Sequence, residues 1–187
     1  MSGTQKTLGP RYLPGDPPPA EETERMIRVD HAGEFGAVRI YAGQMAVSRR
    51  RKSAPLIQEM ADQEAEHLDR FNKLIAERRV RPTVLSPVWH VAGYVLGAGT
   101  ALMGERAAMA CTAAVEEVID DHYGRQAERL GDRDPELKEV IERFQAEERE
   151  HREIALDHEA EKAPAYPVLS AVIKSGSRAA IWLSTRI

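Results

Sequence analysis

Two Glu-x-x-His pairs are the residues of this sequence best suited to chemistry. They are Glu64 with His67 and Glu148 with His151. Residues three apart share a helix face, so each pair can offer a carboxylate and an imidazole to one point. One such pair arises easily by chance in a chain with 30% charged residues. The repeat is more informative, because a lone Glu, Glu34 or Glu116, precedes each pair at nearly equal spacing and indicates a duplicated helical hairpin.

Helical phase places all six side chains on apolar stripes. The stripes are Ile27, His31, Glu34, Val38 and Tyr41; Ile57, Met60, Glu64, Leu68 and Phe71, with His67 three residues after Glu64; Met109, Thr112, Glu116, Ile119 and Tyr123; and Ile141, Phe144, Glu148 and His151. Four buried carboxylates are strongly destabilising without compensating charge, and no Lys or Arg lies on these stripes. Two divalent cations would balance four Glu charges, so the sequence predicts a two-metal site.

The ligand types indicate the metal and the fold. Oxygen and imidazole ligands without thiolate favour iron or manganese over structural zinc. A lone Glu from each of two helices, with a Glu-x-x-His from each of two others, is the ligand set of ferritin-like di-iron and di-manganese bundles. We therefore expect an all-α, ferritin-like four-helix bundle. A solvated surface position is the alternative for any single Glu, but it is disfavoured for all six residues together.

The elements that must position these residues are four long helices. They are expected over about 20–51, 53–81, 105–130 and 135–161. Ser53 is expected to cap the second helix, with Pro55 in its first turn. A turn at Gly131–Pro135 separates the last two.

Two additional segments are apolar or amphipathic. Val84–Gly104 contains no Asp, Glu, Lys or Arg and is as long as a membrane span. A single crossing would leave half of the ligands on each side of the bilayer, so we expect this helix to lie on the bundle or in the membrane interface. Gly97–Thr100 within it is expected to serve close helix packing. Tyr166–Ile187 is expected to form a basic amphipathic helix.

Several other residues are weaker candidates. His31 lies one turn before Glu34 in the reversed order His-x-x-Glu, which favours a core or supporting role over that of a ligand. Asp30, Asp120 and Asp157 are candidates for orienting the ligand imidazoles, with surface positions as the alternative. Tyr123 follows Glu116 by two turns, so it is a candidate for electron or proton transfer, with a core tyrosine as the alternative.

Composition and the chain ends add further expectations about partners and domain organisation. A net charge of -4 with interspersed signs disfavours nucleic acid as a partner. The single cysteine, Cys111, has small apolar neighbours and is expected to be buried. No signal or transit peptide is visible. We expect a flexible arm over residues 1–19 and one ferritin-like domain over residues 20–187.

Longer strings of residues resemble a known family. They are Val29–Glu34, Arg39–Gln44, Asp62–Glu64 with His67, Arg79–Thr83, Gly97–Leu102, Ala114–Glu117, Leu156–His158 and Ala180–Ser184. These strings resemble the demethoxyubiquinone hydroxylases. The resemblance implies a di-iron monooxygenase that hydroxylates a demethoxy polyprenyl benzoquinol (2-polyprenyl-3-methyl-6-methoxy-1,4-benzoquinol) in ubiquinone biosynthesis. It also implies that the six residues above are iron ligands, with Glu64 and Glu148 as bridges.

The same resemblance implies two iron ions per chain, O2 as co-substrate and an external reductant, with NADH as a candidate. The implied partners are the polyprenyl quinol, a membrane surface and a lipid-binding accessory protein; a homo-oligomer is compatible with the sequence. The implied location is the cytoplasmic face of a bacterial inner membrane, or the matrix side of the mitochondrial inner membrane. Two alternatives share the ligands: a ferritin-like iron store or peroxide scavenger, and a non-catalytic quinone-binding scaffold.

Overall fold

The computed structural model describes residues 17–187, which form six α-helices and one short 3-10 helix. The α-helices are α1 Pro19–Ser48, α2 Ala54–Glu77, α3 Ser86–Leu102, α4 Glu105–Leu130, α5 Pro135–Asp157 and α6 Tyr166–Ser184, and the 3-10 helix is Ala160–Lys162. Within 17–187 there is no strand, so the expected all-α class is confirmed. Residues 1–16 of the expected arm lie outside the described range.

Four of the helices form the bundle, and the other two cover it. Helix α1 packs against α2, α4 packs against α5, and α1 also meets α4. The His67 ring of α2 stacks on the Phe144 ring of α5 with centroids 3.9 Å apart, which closes the bundle. Helix α3 lies along α1, and α6 lies along α4. The result is the expected ferritin-like bundle with two additional helices.

Three of the expected helix ends and one expected cap need correction. Helix α2 ends at Glu77 rather than just before Pro82, because Arg79 adopts the left-handed conformation, with φ of 54°. Helix α1 ends at Ser48 rather than Arg51, and the Arg51 guanidinium donates to the Ala101 carbonyl at 2.8 Å. Ser53 precedes α2 but does not cap it, because its hydroxyl donates to Glu105 at 2.9 Å. Helix α5 ends at Asp157 rather than Glu161, because Glu159 adopts the left-handed conformation, with φ of 63°.

Glycines bring α3 into backbone contact with α1. A Cβ on Gly97 would lie 1.9 Å from the Ile40 carbonyl oxygen, and one on Gly43 would lie 2.2 Å from the Tyr94 carbonyl oxygen. Close packing was expected of the Gly97–Thr100 run, and Gly97 provides it. No helix in residues 17–187 combines the length and hydrophobicity that a membrane crossing requires. Cys111 is fully buried, as expected.

Candidate metal centre

The six candidate ligands meet in the middle of the bundle. Helix α1 supplies Glu34, α2 supplies Glu64 and His67, α4 supplies Glu116, and α5 supplies Glu148 and His151. None is more than 3% exposed. Each faces inward because it lies on the apolar stripe of its helix, and the chain must bury that stripe.

Two overlapping groups can each hold one ion. The first is Glu34, Glu64, His67 and Glu148, and the second is Glu64, Glu116, Glu148 and His151; the ligand atoms within each group lie within 4.8 Å of one another. Glu64 and Glu148 belong to both groups. That sharing suits carboxylates that bridge two ions, with one lone Glu and one imidazole at each end.

Orphaned polar atoms show that the residues fit a metal. Both oxygens of Glu64, one oxygen of Glu148 and the Nδ1 atoms of His67 and His151 are buried and make no hydrogen bond within the described chain. The Nδ1 atom of His67 lies 3.2 Å from Glu148, and that of His151 lies 3.2 Å from Glu64. Leaving such atoms unpaired costs about 1–3 kcal/mol each. Cations between these atoms would satisfy them.

Burial and neighbouring charges move the pKa values of this group apart. Burial raises the pKa of Glu64 and Glu116 well above the ordinary value, and the charge of Glu148 raises both further. Burial acts on Glu148 as well, but the neighbouring His151 and His67 imidazoles outweigh it and lower the pKa of Glu148 to about 2. Burial disfavours the charge of His67, yet Glu148 and Glu34 raise its pKa to about 12. Raised pKa values favour protonated Glu64 and Glu116 when no cation is bound.

The outer nitrogens of the two imidazoles bond to residues that the sequence did not single out. His67 Nε2 lies 2.5 Å from the Glu147 carboxylate, and His151 Nε2 lies 2.5 Å from the Gln63 side-chain oxygen. Gln63 and Glu147 each come directly before the Glu of a Glu-x-x-His pair. That shared position in the repeat is the signal that could have identified them.

The three aspartates proposed for this role do not perform it. Asp30 accepts from His122 and Gln126, and Asp120 accepts from Gln145 and Arg149. Asp157 is exposed at the end of α5. The surface alternative holds for Asp157, and the partners of the two imidazoles come from the facing helix instead.

His31 belongs to neither ligand group. Its Nε2 atom lies 3.0 Å from Asn72 on α2, in keeping with the prediction that His31 is not a ligand.

Two tyrosines bond to the lone carboxylates in a crossed pattern. The Tyr123 hydroxyl of α4 donates to Glu34 of α1, and the Tyr41 hydroxyl of α1 donates to Glu116 of α4 at 3.2 Å. Both tyrosines are 1% exposed. The sequence placed Tyr123 near the centre, and the structure agrees; its role in electron or proton transfer stays a prediction. Tyr41 was missed as a partner of Glu116, although it lies two turns after Glu34 just as Tyr123 lies two turns after Glu116.

An apolar cavity of about 410 Å³ lies beside the centre, between α1, α3, α4 and α6. Its lining includes Gly33 and Val115, the sequence neighbours of Glu34 and Glu116. Trp89, Leu96 and Ile181 line the part formed by α3 and α6. This volume lies in the range of small-molecule sites.

Comparison with known proteins gives one consistent result. The family model described as ubiquinone biosynthesis protein COQ7 matches residues 21–184. A 3-demethoxyubiquinol 3-hydroxylase of Rhodospirillum rubrum is 57% identical over 176 residues, which cover 94% of this chain and 83% of the relative. The human mitochondrial NADPH-dependent 3-demethoxyubiquinone 3-hydroxylase is 57% identical over 168 residues, or 88% of this chain and 77% of the relative. The mitochondrial 5-demethoxyubiquinone hydroxylase of Saccharomyces cerevisiae is 41% identical over 181 residues, which cover 88% of this chain and 78% of the relative. The resemblance expected from the motif strings is confirmed, and the chain belongs to the COQ7 family of ubiquinone biosynthesis proteins.

Proposed function

We propose that this chain is a di-iron monooxygenase that hydroxylates a demethoxy polyprenyl benzoquinol, the reaction class in the names of its relatives. The two overlapping carboxylate and imidazole groups in the bundle carry this proposal. The apolar cavity beside them favours a lipid substrate over iron storage or peroxide scavenging. It would also accommodate a quinol next to the reacting centre, which an inert scaffold would not need.

The protein residues have separate tasks in this reaction. Glu34 and His67 would hold one iron, Glu116 and His151 the other, and Glu64 and Glu148 both. When bound, the irons supply the reductive activation of O2. A ring C–H becomes C–OH, and the second oxygen atom leaves as water after two electrons and two protons are consumed. An external reduced nicotinamide would provide the electrons: NADH was the candidate implied by the family resemblance, and the name of the human relative specifies NADPH.

The cavity would bind the quinol ring and exclude water. Its wall is built mostly from small and aliphatic residues of four helices, so a bound ring would exchange water for apolar contacts. Backbone contact between α1 and α3 would fix the width of the cavity. The polyprenyl tail would leave between α3 and α6 toward the surface.

That surface would be the membrane-docking face. In the described range, every large hydrophobic residue that is exposed lies in Val84–Met103 or Val168–Ile187, which are α3, α6 and their ends. Val91 is 60% exposed, and Val168 is 66% exposed. Arg186 lies over the Trp182 ring at 4.1 Å, an arrangement that suits the boundary between lipid and water. Exposed apolar surface on this scale marks an interaction site.

The proposed location follows from this face and from the relatives. The relatives are bacterial and mitochondrial, and the docking face would hold the chain peripherally on the cytoplasmic face of a bacterial inner membrane or on its mitochondrial equivalent. A lipid-binding accessory protein, or a second copy of the chain, would bind beside the same face. Nucleic acid is not among the proposed partners.

Metal analysis combined with single-turnover product detection tests the proposed reaction. Wild-type protein with two irons should convert the quinol after reductant and O2 are added. Glu148→Ala should lose iron and product together, because both ligand groups include Glu148. Glu150→Ala changes an exposed residue of the same helix and should leave both unchanged. Product formed by wild-type protein without iron would overturn the proposed mechanism.

Flotation with vesicles of phosphatidylethanolamine and phosphatidylglycerol tests the docking face. Val91→Asp combined with Val168→Asp should reduce the bound fraction strongly, because a charge replaces exposed apolar surface on both helices. Ala146→Asp combined with Ala65→Asp adds the same two charges at exposed positions of α5 and α2 and serves as the control. Equal flotation of the double variant and the control would contradict this part of the proposal.

A further inference from the structure

We propose that the residues before the two Glu-x-x-His pairs make the two metal positions chemically unequal. Glu147 holds His67 with a carboxylate, whereas Gln63 holds His151 with an amide. This inference rests on the metal binding proposed above but does not depend on which substrate is hydroxylated.

The geometry is crossed between two helices. Gln63 precedes Glu64 on α2 but bonds to His151 on α5, and Glu147 precedes Glu148 on α5 but bonds to His67 on α2. In both cases Nε2 faces the outer partner, and Nδ1 faces the buried carboxylates. An acceptor at Nε2 keeps the proton there and leaves the Nδ1 lone pair for a metal. Gln63 and Glu147 are therefore positioning residues.

The rest of the centre is closely matched between its two ends. Each end has one lone Glu that accepts from a tyrosine of the other lone-Glu helix, and one imidazole from a Glu-x-x-His pair. Glu64 and Glu148 are common to both ligand groups. The identity of the outer partner is thus the clear chemical difference between the two ends.

A carboxylate and an amide act differently on an imidazole. A carboxylate acceptor draws the imidazole proton toward itself and makes the nitrogen on the metal side a stronger donor, while an amide orients the ring without that charge. Arg143 approaches the other oxygen of Glu147, at 3.9 Å, but the Arg143 side chain is 59% exposed. Solvent therefore weakens that competition. The position with His67 should bind its ion more tightly than the position with His151.

Anaerobic titration of the metal-free chain with Co²⁺, followed by calorimetry, tests the inequality. Wild-type protein should show two steps. Glu147→Gln gives both imidazoles an amide partner, so it should weaken the tighter step by about tenfold and bring the two steps together. Gln63→Glu should strengthen the weaker step. Glu150→Gln removes the same charge from an exposed position of α5 and should change neither step.

Mössbauer spectra of the ⁵⁷Fe(II)-loaded proteins provide a second readout, which a general loss of stability would not reproduce. Wild-type protein should give two doublets, and Glu147→Gln should shift one of them toward the other. Two equal steps with one doublet in wild-type protein, or a Glu147→Gln variant identical to wild type, would overturn the inference and leave the proposed hydroxylation intact. Two unequal ions in a protein that forms no product would support the inference and overturn the proposed hydroxylation.

Discussion

Replacing Gly97 with alanine tests whether backbone contact between α3 and α1 sets the width of the proposed substrate cavity. The added Cβ would lie 1.9 Å from the Ile40 carbonyl oxygen and 2.7 Å from its carbon. Real contacts of this kind need more than 3.0 Å. The obstructing atoms belong to the backbone of α1, so a rotamer change cannot relieve the clash. Helix α3 must move outward by on the order of 1 Å, or α1 must bend.

The expected cost follows from comparable substitutions. Overpacking of this kind costs about 1–3 kcal/mol. For a domain of this size, one kcal/mol lowers the thermal midpoint by about 2–4 °C, so Gly97→Ala should lower it by about 2–12 °C. The measurement is thermal unfolding of the iron-loaded protein by far-UV circular dichroism. Product yield in a single turnover should also fall, because Gly93 and Leu96 of the same helix line the cavity.

Gly99→Ala is the matched control on the same helix. A Cβ on Gly99 would meet no atom within 4 Å. Alanine is favoured over glycine inside a helix by about 1 kcal/mol, so this variant should unfold at the wild-type temperature or slightly above it. If Gly97→Ala and Gly99→Ala unfold at the same temperature and give the same yield, the backbone contact does not hold α3 in place.

Three other outcomes are expected. Tyr41→Phe removes the hydrogen bond from the Tyr41 hydroxyl to Glu116 and should lower the affinity for the ion at the His151 end by about tenfold without changing the fold. The same loss of Co²⁺ affinity in a Tyr94→Phe control would refute this. Because the pKa values of Glu64 and Glu116 are raised, the stability that they contribute to the metal-free fold is complete below the unfolded value near 4.5 and is lost as pH rises toward their folded values. The thermal midpoint of the metal-free protein should therefore decrease as the pH is raised from about 5 to about 8. An increase over this range would contradict the assignment. Metal loading displaces these protons, so at a fixed free-ion concentration the stability gained on iron loading should be larger at pH 8 than at pH 5. The gain is about 2.7 kcal/mol where the free-ion concentration is one hundred times Kd. Equal gains at pH 5 and pH 8 would refute proton displacement.

The sequence by itself determined the ligand set that we propose and the helices that carry it. A helix fixes the direction of each side chain by local geometry, so the stripes of Glu34, Glu64 and Glu148 could be assigned before any packing was known. Burial of four carboxylates then required compensating charge. The motif strings added the family, which a bare Glu-x-x-His cannot identify.

Only the tertiary structure decided which residues support those ligands. Glu147 and Gln63 reach their imidazoles across the gap between α2 and α5, and Tyr41 reaches Glu116 across the gap between α1 and α4. Such pairings depend on how two helices are rotated and offset against each other, and many distant contacts set that geometry. The spacing along one helix contains no information about it. For this reason the sequence identified the six candidate ligands but not the partners of the two outer imidazole nitrogens.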